Sequence, residues 1–173
     1  MDIIKLNGKI VFEPPNITTK HRNQSSWKKV AFVEFDGDIC EYYAWFIQRR
    51  YNIIFNKPLR KAHISFINDS IKDLRLNDTR TIEEVEILWN TVKEKWNGKE
   101  IDVVLDVDVR SNGDYWWLRV PHELNITLTD IRNELGLGNP YFNYHLTIGY
   151  PHPYREEHSK YIVEGIKNGF IFG

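Results

Sequence analysis

Two short stretches of this chain share one alternation of apolar and polar side chains. In Ala62-His63-Ile64-Ser65-Phe66 the two-residue period of an extended strand turns His63 and Ser65 to one face and Ala62, Ile64 and Phe66 to the other. Tyr144-His145-Leu146-Thr147-Ile148 repeats the pattern 82 residues further on, with His145 and Thr147 on the polar face. Residues 13–29, rich in Pro, Asn, Thr, Gln and Ser, read as a surface loop. A strand at 30–35 then precedes a helix with Asp38 as its N-cap and Tyr43, Phe46 and Ile47 turned inward, ending before Asn56-Lys57-Pro58. After the strand at 62–67 comes a polar stretch, then a helix at 81–96. Ile82, Val85, Trp89, Val92 and Trp96 recur along it at helical spacing up to the stop at Asn97-Gly98. Residues 101–109 alternate, Ser111-Asn112-Gly113-Asp114 turns, and 115–120 returns as the other strand of a hairpin. A helix at 124–135 stopped by Gly136, a strand at 144–149 and a helix at 155–167 complete the order. This order predicts two related halves, each a small antiparallel sheet with helices on one face: an α+β fold in one domain over 1–173.

Composition narrows the classes of function. Apolar residues make up 42% of the chain and aromatics 14%, enough for a core, and a net charge of -1 argues against a general nucleic-acid coat, which neutralises many phosphates and needs a basic excess. Cys40 is the single cysteine, so no internal disulfide forms, and the first thirty residues hold no continuous apolar run of the export type. The expected location is the cytoplasm. No apolar run reaches the length that crosses a bilayer, so no membrane partner is expected. The Asn-x-Ser/Thr triplets at Asn16 and Asn125 carry no meaning without export.

The duplicated polar pair suits phosphodiester cleavage. One neutral imidazole can take a proton from an attacking hydroxyl or water while a second, charged one gives a proton to the leaving oxygen. The hydroxyls of Ser65 and Thr147, two residues along the same faces, can hold nonbridging phosphoryl oxygens as charge builds on them. Acid, base and charge stabilisation are then supplied without a metal or other cofactor. A single His-x-Ser/Thr on a half-buried strand is more simply a structural feature whose polar atoms meet nearby backbone. The second copy turns the reading toward a site.

With these residues in place, the chain resembles the two-histidine phosphoesterase superfamily, which is marked by a pair of His-x-Ser/Thr motifs flanked by apolar strand residues. The match runs in order and spacing from about residue 30 to the end, with Ser65 where threonine is more usual. The resemblance implies a bilobal fold with pseudo-twofold symmetry and His63, Ser65, His145 and Thr147 meeting in a central cleft. The block Tyr42-Tyr43-Ala44-Trp45-Phe46 followed by Pro58-Leu59-Arg60-Lys61-Ala62-His63 is most similar to phage enzymes that degrade the cyclic-nucleotide signals of bacterial anti-phage immunity.

Other residues extend or compete with this site. Alternation puts Tyr115, Trp117 and Arg119 on one face and Trp116, Leu118 and Val120 on the other. The second set reads as core, while the first either stacks nucleobases and meets phosphate or makes ordinary cross-strand packing. Tyr150 carries the same two readings, and Arg60, with Lys61, either adds positive potential beside the first motif or is merely solvated. His21, His122, His152 and His158 fall in loops or at helix starts and read as solvated; a metal cluster of His145, His152 and His158 lacks the expected ligand spacing. Asp102, Asp106 and Asp108 share a face and read as solvated edge-strand charges. The expected ligand is a small nucleotide or cyclic oligonucleotide. A close alternative is a short RNA end, as a 2′,3′-cyclic phosphate or a 2′–5′ linkage, and an alternative of another class is a noncatalytic nucleotide-binding module. Oligomeric state is not encoded in any of these motifs.

Overall fold

A computed structural model describes residues 1–15, 28–56, 58 and 60–151. The expected helix at 155–167 and most of the expected loop at 13–29 lie outside the described residues. The described chain is α+β, with one antiparallel sheet of eight strands. In chain order the elements are β1 (Ile3–Phe12), β2 (Lys28–Glu34), α1 (Ile39–Tyr51), β3 (Phe55–Asn56), β4 (His63–Ser70), α2 (Ile71–Leu74), α3 (Ile82–Trp96), β5 (Glu100–Asp106), β6 (Val109–Ser111), β7 (Trp116–Arg119), a 3-10 turn (His122–Leu124), α4 (Ile126–Glu134) and β8 (His145–Pro151). Across the sheet the order is β5-β1-β2-β4-β8-β7-β6, with β3 paired to β8.

Two small sheets were expected, and the finding is one sheet with a narrow seam. β4 and β8 are joined through the single register pair Ile64↔Leu146. The sheet also curls. The buried side chain of Asn125 accepts from the Val104 N–H at 2.8 Å and donates to the Val104 carbonyl at 2.9 Å and the Pro121 carbonyl at 2.7 Å. It thereby ties the outer edge of β5 to the segment that follows β7.

One face of the strands is apolar throughout. Ile10, Val33, Ile64, Val103, Leu118 and Leu146 join Cys40, Ala44 and Ile47 of α1, Val85, Trp89 and Val92 of α3, and Leu128 and Ile131 of α4 in one core. The helices therefore cover that face and leave the histidine face of the sheet uncovered by them. Helix α3 starts on a reciprocal capping box in which Thr81 accepts from the Glu84 N–H and the Glu84 carboxylate accepts from the Thr81 N–H.

Several sequence expectations need correction. Phe46 of α1 is exposed, because the inward stripe runs through Cys40, Ala44 and Ile47 at steps of four and three residues, and Phe46 falls beside it. Asp38 occupies the N-cap position but its side chain makes no capping bond. Ile82, the first residue of α3, is likewise exposed. The expected hairpin of 101–109 with 115–120 is in fact β6 with β7, since the chain bends at Val107-Asp108 and β5 pairs with β1 instead. Nor is Asp106 a solvated edge charge: it is buried and accepts the Asp108 N–H at 3.0 Å, whereas exposed Asp102 pairs with Lys5 at 2.7 Å.

Strand β1 was unforeseen. Its buried face reads Ile4, Leu6, Gly8, Ile10, Phe12, and the glycine interrupts the apolar series. A Cβ at Gly8 would lie 2.6 Å from Val33 Cγ1 and 2.7 Å from the Phe35 ring, so only glycine lets β1 and β2 pack this closely.

Candidate active site

The seam between β4 and β8 brings the two motifs together. Because these strands are antiparallel and Ile64 faces Leu146, one step outward puts His63 across from Thr147 and Ser65 across from His145. Directly opposed residues in such a ladder hold their Cβ atoms about 4.5–5.5 Å apart. Each imidazole thus stands beside the hydroxyl of the other motif, all four on the face away from Ile64 and Leu146, and all four half-buried.

Both rings are held in the same way. His63 Nδ1 lies 2.8 Å from the Lys61 carbonyl and His145 Nδ1 lies 2.9 Å from the Asn143 carbonyl, in each case the carbonyl two residues earlier. A carbonyl can only accept, so Nδ1 carries the proton in both rings, and in the neutral form Nε2 carries the lone pair. The His63 ring also packs on Phe32, with centroids 4.4 Å apart.

The strands outside the seam repeat one register. On one flank Phe32 faces Ser65 and Glu34 faces His63; on the other Trp117 faces Thr147 and Arg119 faces His145. Each hydroxyl is opposed by an aromatic and each histidine by a charged residue, and a register shift adjoins both aromatics, between Ala31 and Phe32 and between Trp116 and Trp117. Alternation along β7 turns Trp116 to the other side, where it packs on Tyr51 and Phe55 with centroids 5.0 and 6.2 Å away. Leu118 and Val120 are buried, in keeping with their reading as core.

Of the binding candidates, Tyr115, Trp117, Arg119 and Tyr150 gather on the His145 side. The Tyr115 ring lies 4.9 Å from Trp117, 6.2 Å from His145 and 6.5 Å from Tyr150. Tyr115 belongs to the turn before β7, where its N–H and that of Asp114 donate to the Asn112 side chain, rather than to the strand. Arg119 pairs with Glu123 at 3.3 Å. Arg60 is on the other flank: its guanidinium lies 5.4 Å from the centre of the Phe32 ring and donates to the Pro15 carbonyl at 2.7 Å. Lys61 forms an ion pair with Asp36, and both side chains are exposed, in keeping with its reading as a solvated surface charge.

Beyond Tyr150 the strand is held by β3, with Phe55 facing Pro151 and Asn56 facing Tyr150. Gly149 permits this crossing, since a Cβ there would lie 2.6 Å from the Asn56 carbonyl oxygen and 2.7 Å from the Phe55 ring. His122 is not the solvated residue expected from its loop position. It stacks on Tyr144 at 4.2 Å and 12°, and burial holds its imidazole below the usual histidine range, with Arg119 and Arg132 acting in the same direction against Glu123. His21, His152 and His158 lie outside the described residues. Among the described residues no three His, Cys, Asp or Glu side chains converge as a metal site, and no helix is long and apolar enough to cross a membrane.

Sequence reasoning overlooked Phe32, Glu34 and the two carbonyl anchors. The i−2 carbonyls follow from an extended backbone at each motif and were within reach of a local reading, whereas Phe32 and Glu34 join the site only through the long-range pairing of β2 with β4. Compared with family models, curated proteins and solved structures, the chain matches none.

Proposed function

We propose that this chain is a metal-independent phosphodiesterase of the two-histidine type, acting in the cytoplasm on small nucleotides. Cyclic oligonucleotide signals are the favoured substrate, and phage counter-defence is the setting in which such an enzyme works. One observation carries the reading: each histidine stands across the strand pair from the hydroxyl of the other motif, and both rings are anchored through Nδ1 by the same carbonyl contact. Duplicate anchoring fixes two Nε2 atoms for proton transfer.

In the reaction, the neutral imidazole takes a proton from water as the water oxygen bonds to phosphorus. The imidazolium gives its proton to the leaving oxygen as the phosphorus–oxygen bond breaks. One water is consumed, and the two rings exchange protonation states, which solvent restores. Ser65 and Thr147 donate their O–H groups to the nonbridging oxygens. Arg119, across from His145, adds positive charge on that side, and Arg60 above Phe32 adds it on the other. The rings of Tyr115, Trp117 and Tyr150 offer a stacking surface for a base.

The test is turnover by purified protein of cyclic dinucleotides, cyclic trinucleotides and 2′,3′-cyclic-phosphate RNA, resolved by chromatography. His63→Ala and His145→Ala are each expected to remove nearly all turnover while keeping the fold, and the double variant to be little worse than either single one, because the pair acts as a unit. Activity near wild type in either single variant would falsify the mechanism. A wild-type protein that binds these ligands without cleaving any of them makes the chain a nucleotide-binding module instead.

A further inference from the structure

The register of the sheet extends the row of site residues one strand beyond the aromatic cluster. Arg110 of β6 faces Trp117 of β7, and Trp117 faces Thr147 of β8, so the three side chains leave the sheet on the same face. Their neighbours confirm the parity: Val109 faces buried Leu118 and packs on the core, which turns Arg110 the other way. Two strand spacings, about 10 Å, separate Arg110 from Thr147. Arg119 lies on the same face of β7, two residues from Trp117. Trp117 therefore has two arginine neighbours on its face: Arg119, two residues along β7 and across from His145, and Arg110, one strand further out.

We infer that Arg110 grips a second phosphate of the substrate, one nucleotide away from the phosphate that is cleaved. This inference rests on the proposed phosphodiesterase reading and narrows it to substrates with two or more phosphates. A nucleotide whose base stacks on Trp117 has a phosphate at each end of its sugar, and Trp117 has two arginine neighbours on its face, one along β7 and one across on β6. Arg110 is available for this. Its contact with Asp106 is 3.5 Å, the outer limit of a hydrogen bond, and half of its side chain is exposed. Asp106 satisfies itself in part through the Asp108 N–H. A planar guanidinium matches a phosphate with two parallel N–H donors, which a solvated strand-end lysine would not.

The test compares 3′,5′-cyclic AMP, with one phosphate, and 3′,5′-linked cyclic di-AMP, with two. Dissociation constants are measured by calorimetry in a His63→Ala background, so that neither ligand is consumed, and turnover is measured in the wild-type protein. Arg110→Gln is expected to weaken cyclic di-AMP about tenfold or more and to weaken cyclic AMP by much less. A folding defect would weaken both ligands alike, so the ratio between them isolates the second phosphate. Equal effects on the two ligands, or no effect on either, overturn the inference while wild-type turnover leaves the phosphodiesterase reading standing. A differential effect in a protein with no turnover supports the second-phosphate grip and overturns the enzyme. Failure to bind cyclic di-AMP overturns the inference, and the phosphodiesterase reading falls with it only if the wild-type protein turns over none of the cyclic dinucleotides, cyclic trinucleotides or cyclic-phosphate RNA.

Discussion

At the scale of single residues, the four polar side chains divide into proton carriers and charge holders, and the two roles fail in different ways. The base must be neutral and the acid protonated. The rate therefore falls as pH drops through the pKa that governs the base and falls again as pH rises through the one that governs the acid. A bell-shaped profile of kcat/KM is expected, its limbs belonging to the coupled pair and not to either ring alone. The hydroxyls change no proton inventory, so removing one lowers the height of the bell and leaves its shape. Thr147→Val keeps the β-branched outline on β8 and is expected to reduce kcat on the order of a hundredfold with the thermal midpoint preserved; Ser65→Ala is expected to behave alike. A flat profile together with two fully active hydroxyl variants would assign the motifs to structure.

At the scale of elements, β4 is held in place from behind by a buried ion pair. Arg132 of α4 donates to both carboxylate oxygens of Asp69, at 2.6 and 3.1 Å, and also to the carbonyls of Phe66 and Gly138. Both side chains are almost fully buried, so neither charge is rescued by water if its partner is removed. Arg132→Met is expected to destabilise the protein by about 3–5 kcal/mol, and adding Asp69→Leu to recover much of that loss, read as the midpoint of denaturant unfolding. A double variant no more stable than the single one would show that the carbonyl bonds, not the ion pair, fasten α4 to β4. The elements also show what a local reading reaches. The period of two at 62–66 and 144–148 was legible because a half-buried strand prints it directly, and α3 was legible from Val85, Trp89 and Val92. Residues 3–12 were not, since the glycine that allows β1 to approach β2 removes an apolar position from the pattern. The partner of β5 was not legible either: residues 101–106 alternate equally well beside β1 or β7, and the bend at Val107-Asp108, with Asp106 turned in to hold it, decides between them.

At the scale of the whole molecule, the site depends on how the sheet curls, because its two motifs come from strands joined through one register pair. Local pattern placed each histidine on a strand face, but it could not place the strands beside each other; that needed the long-range pairing of β4 with β8. The same curl brings the free edge of β5 to the segment after β7, and one side chain spans the gap. Asn125 sits at the N-cap of α4 yet makes no capping bond, since its amide is committed to Val104 and Pro121. Helical capping has been exchanged for closure of the sheet. Asn125→Ala strips a donor from two carbonyls and leaves the Val104 N–H without its acceptor, at a cost of about 1–3 kcal/mol for a buried unsatisfied group. It also uncovers an edge strand, so the variant is expected to self-associate more readily on heating than wild type, read by light scattering. Asn125→Asp retains the acceptor for Val104 N–H but sets a carboxylate against two carbonyl oxygens, and is expected to be destabilised at least as much. If instead both variants unfold at the wild-type denaturant midpoint and stay monodisperse, the edge of β5 is closed by something other than this amide, and the curl that unites the two motifs has another origin.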